Sequence, residues 1–284
     1  MKVSILGGCN PRNAVKNAAV DNDIIVEPYC FFPCLLDITK PGLEIPYKYF
    51  INLPTIMGHD ETAGFTRKTM QYDLNKRFLS TIESLNPDYI ILDLPTLVFE
   101  TYKISYNNRS VYSVNSQSPG CYEYLKTVLP ELIIEKAVIT DELVYQSLDI
   151  LIEYIKNNWG IEKLILFKNT APLVFIDKNN TLRRYPSENY EFERLKRITE
   201  YTKYVIEKLP GIKVFEDSKI KIGVFTETDL HNNSPLPPLF HVTEDTQKLQ
   251  GLLMRSFLLH ENLEPEISKY RQFLQKQIQE GLSL

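Results

Sequence analysis

Several things are scarce in this chain, and each scarcity removes a class of explanation. No apolar run approaches the roughly 18 residues of a membrane span, so none is expected. The N-terminus lacks a charged segment followed by a long apolar stretch, so no secretory leader is expected. No Lys/Arg cluster offsets a net charge of −4, which leaves no footprint for nucleic acid. Gly-x-Gly-x-x-Gly is missing, and Asp23 is a poor partner for a ribose, so a Rossmann-type nucleotide binder or sugar transferase ranks third among the readings. There are only four cysteines, Cys9, Cys30, Cys34 and Cys121. Their spacing suggests no disulfide framework, and Cys30-Phe-Phe-Pro-Cys34 is too apolar for zinc. A reducing, cytoplasmic location is the expectation, with no metal. Internal repeats, low-complexity tracts and linkers are also missing, so residues 1–284 are expected to form one domain.

What is present is a soluble-protein composition, 43% hydrophobic and 24% charged, on a chain long enough for one large α/β unit. Val3, Ile5 and Leu6 form an apolar run suited to a buried strand. Gly7-Gly8-Cys9-Asn10-Pro11-Arg12-Asn13 follows, and Ala14–Val20 reads as a helix. Asn10 is its expected N-cap and Pro11 its first residue. Cys9 then sits on a strand–turn–helix junction, where free N–H groups and a positive helix end favour a thiolate. A small buried cysteine in an ordinary βα turn fits the same residues.

Further along, Asp23–Val26 and Tyr49–Leu53 suggest short strands around a proline- and aromatic-rich loop at 27–46, with a short helix near Leu35. Phe65, Tyr72, Phe78, Ile82 and Leu85 recur at helical spacing and predict one long helix over 61–85, stopped by Asn86-Pro87. Tyr89–Leu94 is a buried-strand run with Asp93 near its end, where acids face the ligand crevice of parallel sheets or simply cap a loop. Residues 101–120 are polar and predict a long loop or insertion. Helical patterns fill 121–158, interrupted near Pro130 and Thr140. Lys163–Phe167, Lys213–Glu216 and Ile220–Phe225 read as strands, Ser187–Leu209 as a helix, and 243–280 as closing helices. This alternation predicts a doubly wound, mainly parallel α/β sheet with helices on both faces, a flavodoxin-like three-layer sandwich.

Two of the four histidines, His231 and His241, lie in the loop 228–243, together with Asp229. His241 stands just before a helix with Thr243 as its expected N-cap. A loop at the sheet's carboxyl edge can reach the turn after the first strand. Cys9, a histidine and an acid would then supply a nucleophile, a base and an orienting carboxylate. Loop histidines with purely structural hydrogen bonds are the alternative.

The order of these residues resembles the SGNH/GDSL hydrolase superfamily. Its members carry a Gly-Asp-Ser turn after strand one and an Asp-x-x-His block before a late helix. Gly7-Gly8-Cys9 matches the first with cysteine for serine, and resembles a Gly-x-Cys branch associated with bacterial capsule and surface-polysaccharide genes. The Arg67…Asp73-Leu-Asn-Lys76 helix, the Asp88…Asp93 strand and Pro238-Leu-Phe-His241 share the resemblance. The Asp-x-x-His spacing is changed, because Pro238 and Thr228 stand three residues before His241 and His231. His241 better matches the position before the late helix.

The resemblance implies an acyltransferase or esterase acting on a sugar through a Cys9 thioester. His241 or His231 would be the base, with Asp229 or Asp93 orienting it. The Cys9 N–H with Gly8, and the Asn10 side chain, are the local oxyanion donors, and Arg12, Asn13 and Arg67 are candidates to bind substrate. It implies no cofactor, with acyl-CoA only as a donor substrate. The expected partners are a carbohydrate or a small acyl donor. A degenerate relative, serving as a glycan- or partner-binding accessory of surface-polymer assembly or secretion, is the second reading.

Overall fold

The computed structural model describes residues 1–54, 60–114, 120–226, 229–230 and 234–283. Its centre is a five-stranded parallel sheet in which β1 (Lys2–Gly7) lies between β2 (Ile25–Phe31) and β3 (Tyr89–Leu92). Beyond β3 come β7 (Leu164–Lys168) and β10 (Lys213–Glu216). The three central strands, β1, β3 and β7, are short apolar runs buried on both faces, while the edge strands β2 and β10 carry exposed and charged positions. Alternate residues serve opposite faces. Ile5, Ile91, Ile165 and Phe167 cluster with Ala14, Val15 and Ala18 of α1 (Cys9–Ala18) and with Met254 and Leu258 of α7 (Glu244–Leu259). Leu6, Ile90, Leu92, Leu164 and Leu166 cluster instead with α3 (Phe78–Leu85), α5 (Asp141–Asn158) and α6 (Tyr190–Lys208). Burying each such aliphatic side chain contributes roughly 1.5–3 kcal/mol.

Two smaller sheets complete the fold. β4 (Thr101–Tyr106), β5 (Arg109–Val114) and β6 (Ile133–Lys136) form an antiparallel sheet packed with α2 (Asp60–Leu74) and α4 (Cys121–Val128). β8 (Val174–Ile176), β9 (Leu182–Arg184) and β11 (Ile222–Val224) form the other, against α7 and α8 (Glu264–Ser283).

Several expectations from sequence are corrected: Ile133–Lys136, inside the stretch read as helical, is strand β6, and β2 runs on to Phe31, into the stretch read as a loop from residue 27. The polar stretch at 101–120 is a hairpin over its described part. Asn107 and Asn108, at φ 48 and 60, turn the chain between β4 and β5. Paired left-handed residues suit the twist of a two-residue hairpin. The helix expected over 61–85 is two helices, broken where Lys76 takes φ 49. Its ammonium turns inward to Asp37 at 2.7 Å and to the Tyr112 carbonyl at 2.6 Å. Tyr49–Leu53 is no strand; a 3-10 turn at Tyr47–Tyr49 leads into it. Finally, α1 begins at Cys9 with Gly8 as its N-cap, rather than at Pro11 with Asn10 as cap. The Asn10 carboxamide is drawn away, donating to Asn169 Oδ1 at 2.8 Å and Asp217 Oδ2 at 3.1 Å.

α1 and α7 touch closely. A Cβ built on Gly251 would lie 2.6 Å from Asn17 Cβ, so only glycine admits this approach. Among the described residues no helix is long and apolar enough to cross a membrane.

Candidate active site

The carboxyl ends of the core strands form one polar edge. Register places Leu6, Leu92 and Leu166 side by side, and the chain continues from them into Gly8, Asp93 and Asn169. Asp217 follows β10 on the same edge, donating its N–H to the Lys168 carbonyl at 3.1 Å. Crevices outside the carboxyl ends of such strands are where α/β sheets bind ligands.

Asp93 holds the turn after β1. Gly8 N–H donates to its Oδ2 at 3.2 Å, and Asn169 Nδ2 donates to its Oδ1 at 2.6 Å. The approach demands glycine, since a Cβ on Gly7 would lie 2.4 Å from Asp93 Cβ. Burial pushes the Asp93 carboxyl up to about 7, against the hydrogen bonds from Gly8 and Asn169, which lower it. A buried lattice continues from Asn169 and Asn10. Gln250 Nε2 donates to Asn10 Oδ1 at 3.2 Å and to Asp217 Oδ1 at 2.8 Å, and Lys221 pairs with Asp217.

Above this floor opens a cavity of about 370 Å³, within the range of small-molecule sites. Gly8, Cys9, Asn10, Asp93, Asp229 and His241 all line it. Phe32, Phe99, Tyr190 and Phe240 add aromatic walls, and Arg194 and Glu100 add charge.

His241 is fixed through its backbone. Its N–H donates to the Pro238 carbonyl at 3.0 Å, and its carbonyl accepts from Val224 N–H at 2.9 Å. Its ring Nδ1 lies 2.7 Å from Asp229 Oδ2, an oxygen that also accepts from Thr226 N–H and Oγ1 at 2.8 and 2.7 Å. Burial works to raise Asp229, but the bonds from His241 and Thr226 outweigh it and hold the carboxyl below its ordinary value. An ionised carboxylate only accepts, so Nδ1 carries the proton and Nε2 is left as the acceptor.

Cys9 is half-buried in the first turn of α1. Burial raises its thiol above the ordinary value. The Arg12 charge and the Tyr29 hydroxyl pull the other way, and Asp93 adds to the rise. The thiolate expected from the helix end alone is opposed by burial, which outweighs the Arg12 charge and the Tyr29 hydroxyl. Among the described residues no hydrogen bond joins Cys9 Sγ to His241; both residues line one cavity.

The structure thus brings Cys9, Gly8, Asp93, Asp229 and His241 together. His231 lies outside the described residues. Asn10 reaches the cavity, but both amide hydrogens point into the buried lattice. Arg12, Asn13 and Arg67 are not among the lining residues. Arg12 stacks 5.3 Å over Tyr29 and donates to Asn13 Oδ1 at 3.1 Å. Sequence reasoning did not single out Tyr29, Asn169, Asp217, Gln250 or Arg194. The signal for two of them was the polar residue directly after each buried strand. Among the described residues no group of His, Cys, Asp and Glu is placed to hold a metal ion.

No protein-family model, curated protein or solved structure matches the chain.

Proposed function

We propose that the chain is an SGNH-like acyltransferase or esterase that works through a Cys9 thioester on a bacterial surface glycan or its precursor. The finer fold reading, a doubly wound SGNH-like sandwich, belongs to the same proposal. One observation carries it: Cys9 and an Asp229-oriented His241 line the same cavity at the carboxyl edge of the sheet.

The chemistry runs in two halves. His241 Nε2 accepts the Cys9 proton as Sγ bonds to the acyl carbon of the donor. The oxyanion that forms meets the first-turn N–H groups of α1, which a helix leaves without internal partners. The bond from the acyl carbon to the leaving group then breaks, and the imidazolium returns its proton to that group. In the second half a sugar hydroxyl or water gives its proton to Nε2 and attacks the thioester. The S–C bond breaks, and the sulfur recovers the proton from His241. Asp229 stays ionised throughout and stabilises the imidazolium. The surface-glycan substrate rests on the resemblance to the capsule-associated branch.

The raised Cys9 thiol favours a second reading, a binding protein that keeps the fold without turnover. An activated acetyl ester separates the two. The enzyme releases the leaving group in a burst and carries an acetyl adduct on Cys9, lost in Cys9→Ala. Equal release by wild type and Cys9→Ala, with no adduct, rejects the thioester mechanism.

A further inference from the structure

Arg194 is the sole lysine or arginine among the residues described as lining the Cys9 cavity. Its guanidinium lies against two rings, 4.6 Å from the centroid of Phe99 and 5.4 Å from that of Tyr190. Nη1 donates to Glu191 Oε1 at 2.8 Å, and both side chains are only 16% exposed. The pairing is incomplete. Among the described residues Arg194 Nε and Glu191 Oε2 have no hydrogen-bond partner. The other acids of the lining are engaged elsewhere: Glu100 with Lys136 and Tyr102, Asp229 with His241, and Asp93 with Gly8 and Asn169.

A guanidinium has five N–H donors in a planar fork. With Nη1 taken by Glu191, Nη2 and the covered, unpartnered Nε remain, and once a ligand displaces what covers Nε that edge matches two oxygens of one carboxylate or phosphate. Contact with the Phe99 and Tyr190 rings restrains the guanidinium in advance, which lowers the ordering cost of binding. An unmade donor on a largely buried side chain disfavours the empty state, and a ligand oxyanion supplies its partner.

We propose that Arg194 forms a subsite for an oxyanion, carboxylate or phosphate, carried by the molecule that occupies the Cys9 cavity. The subsite selects acidic over neutral ligands, with the aromatic walls holding the ring or chain that bears the charge. That this ligand is also the acylated substrate rests on the proposed function; anion binding itself does not.

The test is protection of Cys9 from iodoacetamide, read by intact mass, with each variant normalised to its own labelling without ligand. Benzoate, phenyl phosphate and neutral benzamide are the probes. The expected result is that benzoate or phenyl phosphate protects wild type at concentrations where benzamide does not, the tighter anion identifying the source. Arg194→Gln weakens anion protection at least tenfold, and Arg194→Lys, which keeps the charge but loses the fork, falls between. Glu191→Gln removes the competing carboxylate and tightens protection severalfold. Protection by benzamide equal to that by the anions, no anion protection of wild type, or unchanged protection in Arg194→Gln overturns the subsite. Alkylation needs no acyl transfer, so absence of a Cys9 acyl adduct would end the thioester reading while leaving this result intact.

Discussion

His241 Nδ1 and Asp229 Oδ2 stand 2.7 Å apart, although the two residues lie twelve positions apart along the chain. Thr226 holds the same carboxylate oxygen from its other side. The pair fixes which ring nitrogen carries a proton, and so which one can accept a proton from a thiol.

Asp229→Asn keeps the side chain's size but lets its amide donate to Nδ1, which drives the ring toward the wrong tautomer. Ester turnover by the variant is expected to fall by about two to four orders of magnitude, with KM little changed. Steady-state kinetics on an activated ester measure this. A loss below about threefold would remove Asp229 from the mechanism.

The pH dependence of Cys9 alkylation reads the balance of burial against Arg12 and Tyr29. In wild type the labelling rate is expected to keep climbing with pH beyond the ordinary thiol range. Arg12→Ala removes an opposing positive charge, so its curve shifts further toward high pH. A shift toward low pH would contradict the assigned sign.

Asp93 binds its proton more tightly in the folded protein, at about 7, than a free aspartate does at 3.8. The stabilisation from that proton is fully present below about pH 4 and is lost as pH rises through 7. The slope approaches at most about 1.4 kcal/mol per pH unit between those limits. Denaturant melts of wild type and Asp93→Asn across this window test it. The variant should lack the decline, and parallel curves would refute the assignment.

Lys76 is buried against Asp37, with Asp73 at 3.7 Å. Attraction from the two carboxylates outweighs burial and holds the ammonium above its ordinary value. Lys76→Met strands both acids in the interior, at a cost of about 3–5 kcal/mol. Chemical denaturation should show a lower midpoint at pH 7, partly restored at low pH where the acids protonate. A midpoint equal to wild type at both pH values would contradict it.

The apolar runs around Ile5, Ile91 and Ile165 were legible in the sequence because buried parallel strands need continuous hydrocarbon. So was the placement of His241 just before a helix, since Thr243 caps it by accepting from Thr246 N–H. The break at Lys76 was not legible. No proline or glycine marks it, and its cause lies in Asp37 and Tyr112, far away along the chain. The hairpin at Asn107-Asn108 carried a turn signal, but the polarity around it masked strands with one solvent face. Arg194 looked like an ordinary charge on a helix; Tyr190 is its neighbour one turn back on the same helix, and only the ring of Phe99, a tertiary neighbour, marks it out. The Asn10–Asn169–Asp217–Gln250 lattice joins four distant segments, and pairing at that range leaves no local pattern.

Gly251 constrains the seam between two helices that flank the site. Cys9 opens one, the chain runs from His241 through Thr243 into the other, and the two meet where Gly251 rides against Asn17. A side chain at position 251 would force Asn17 and its backbone aside, a cost laid on helix packing and on no residue that lines the cleft.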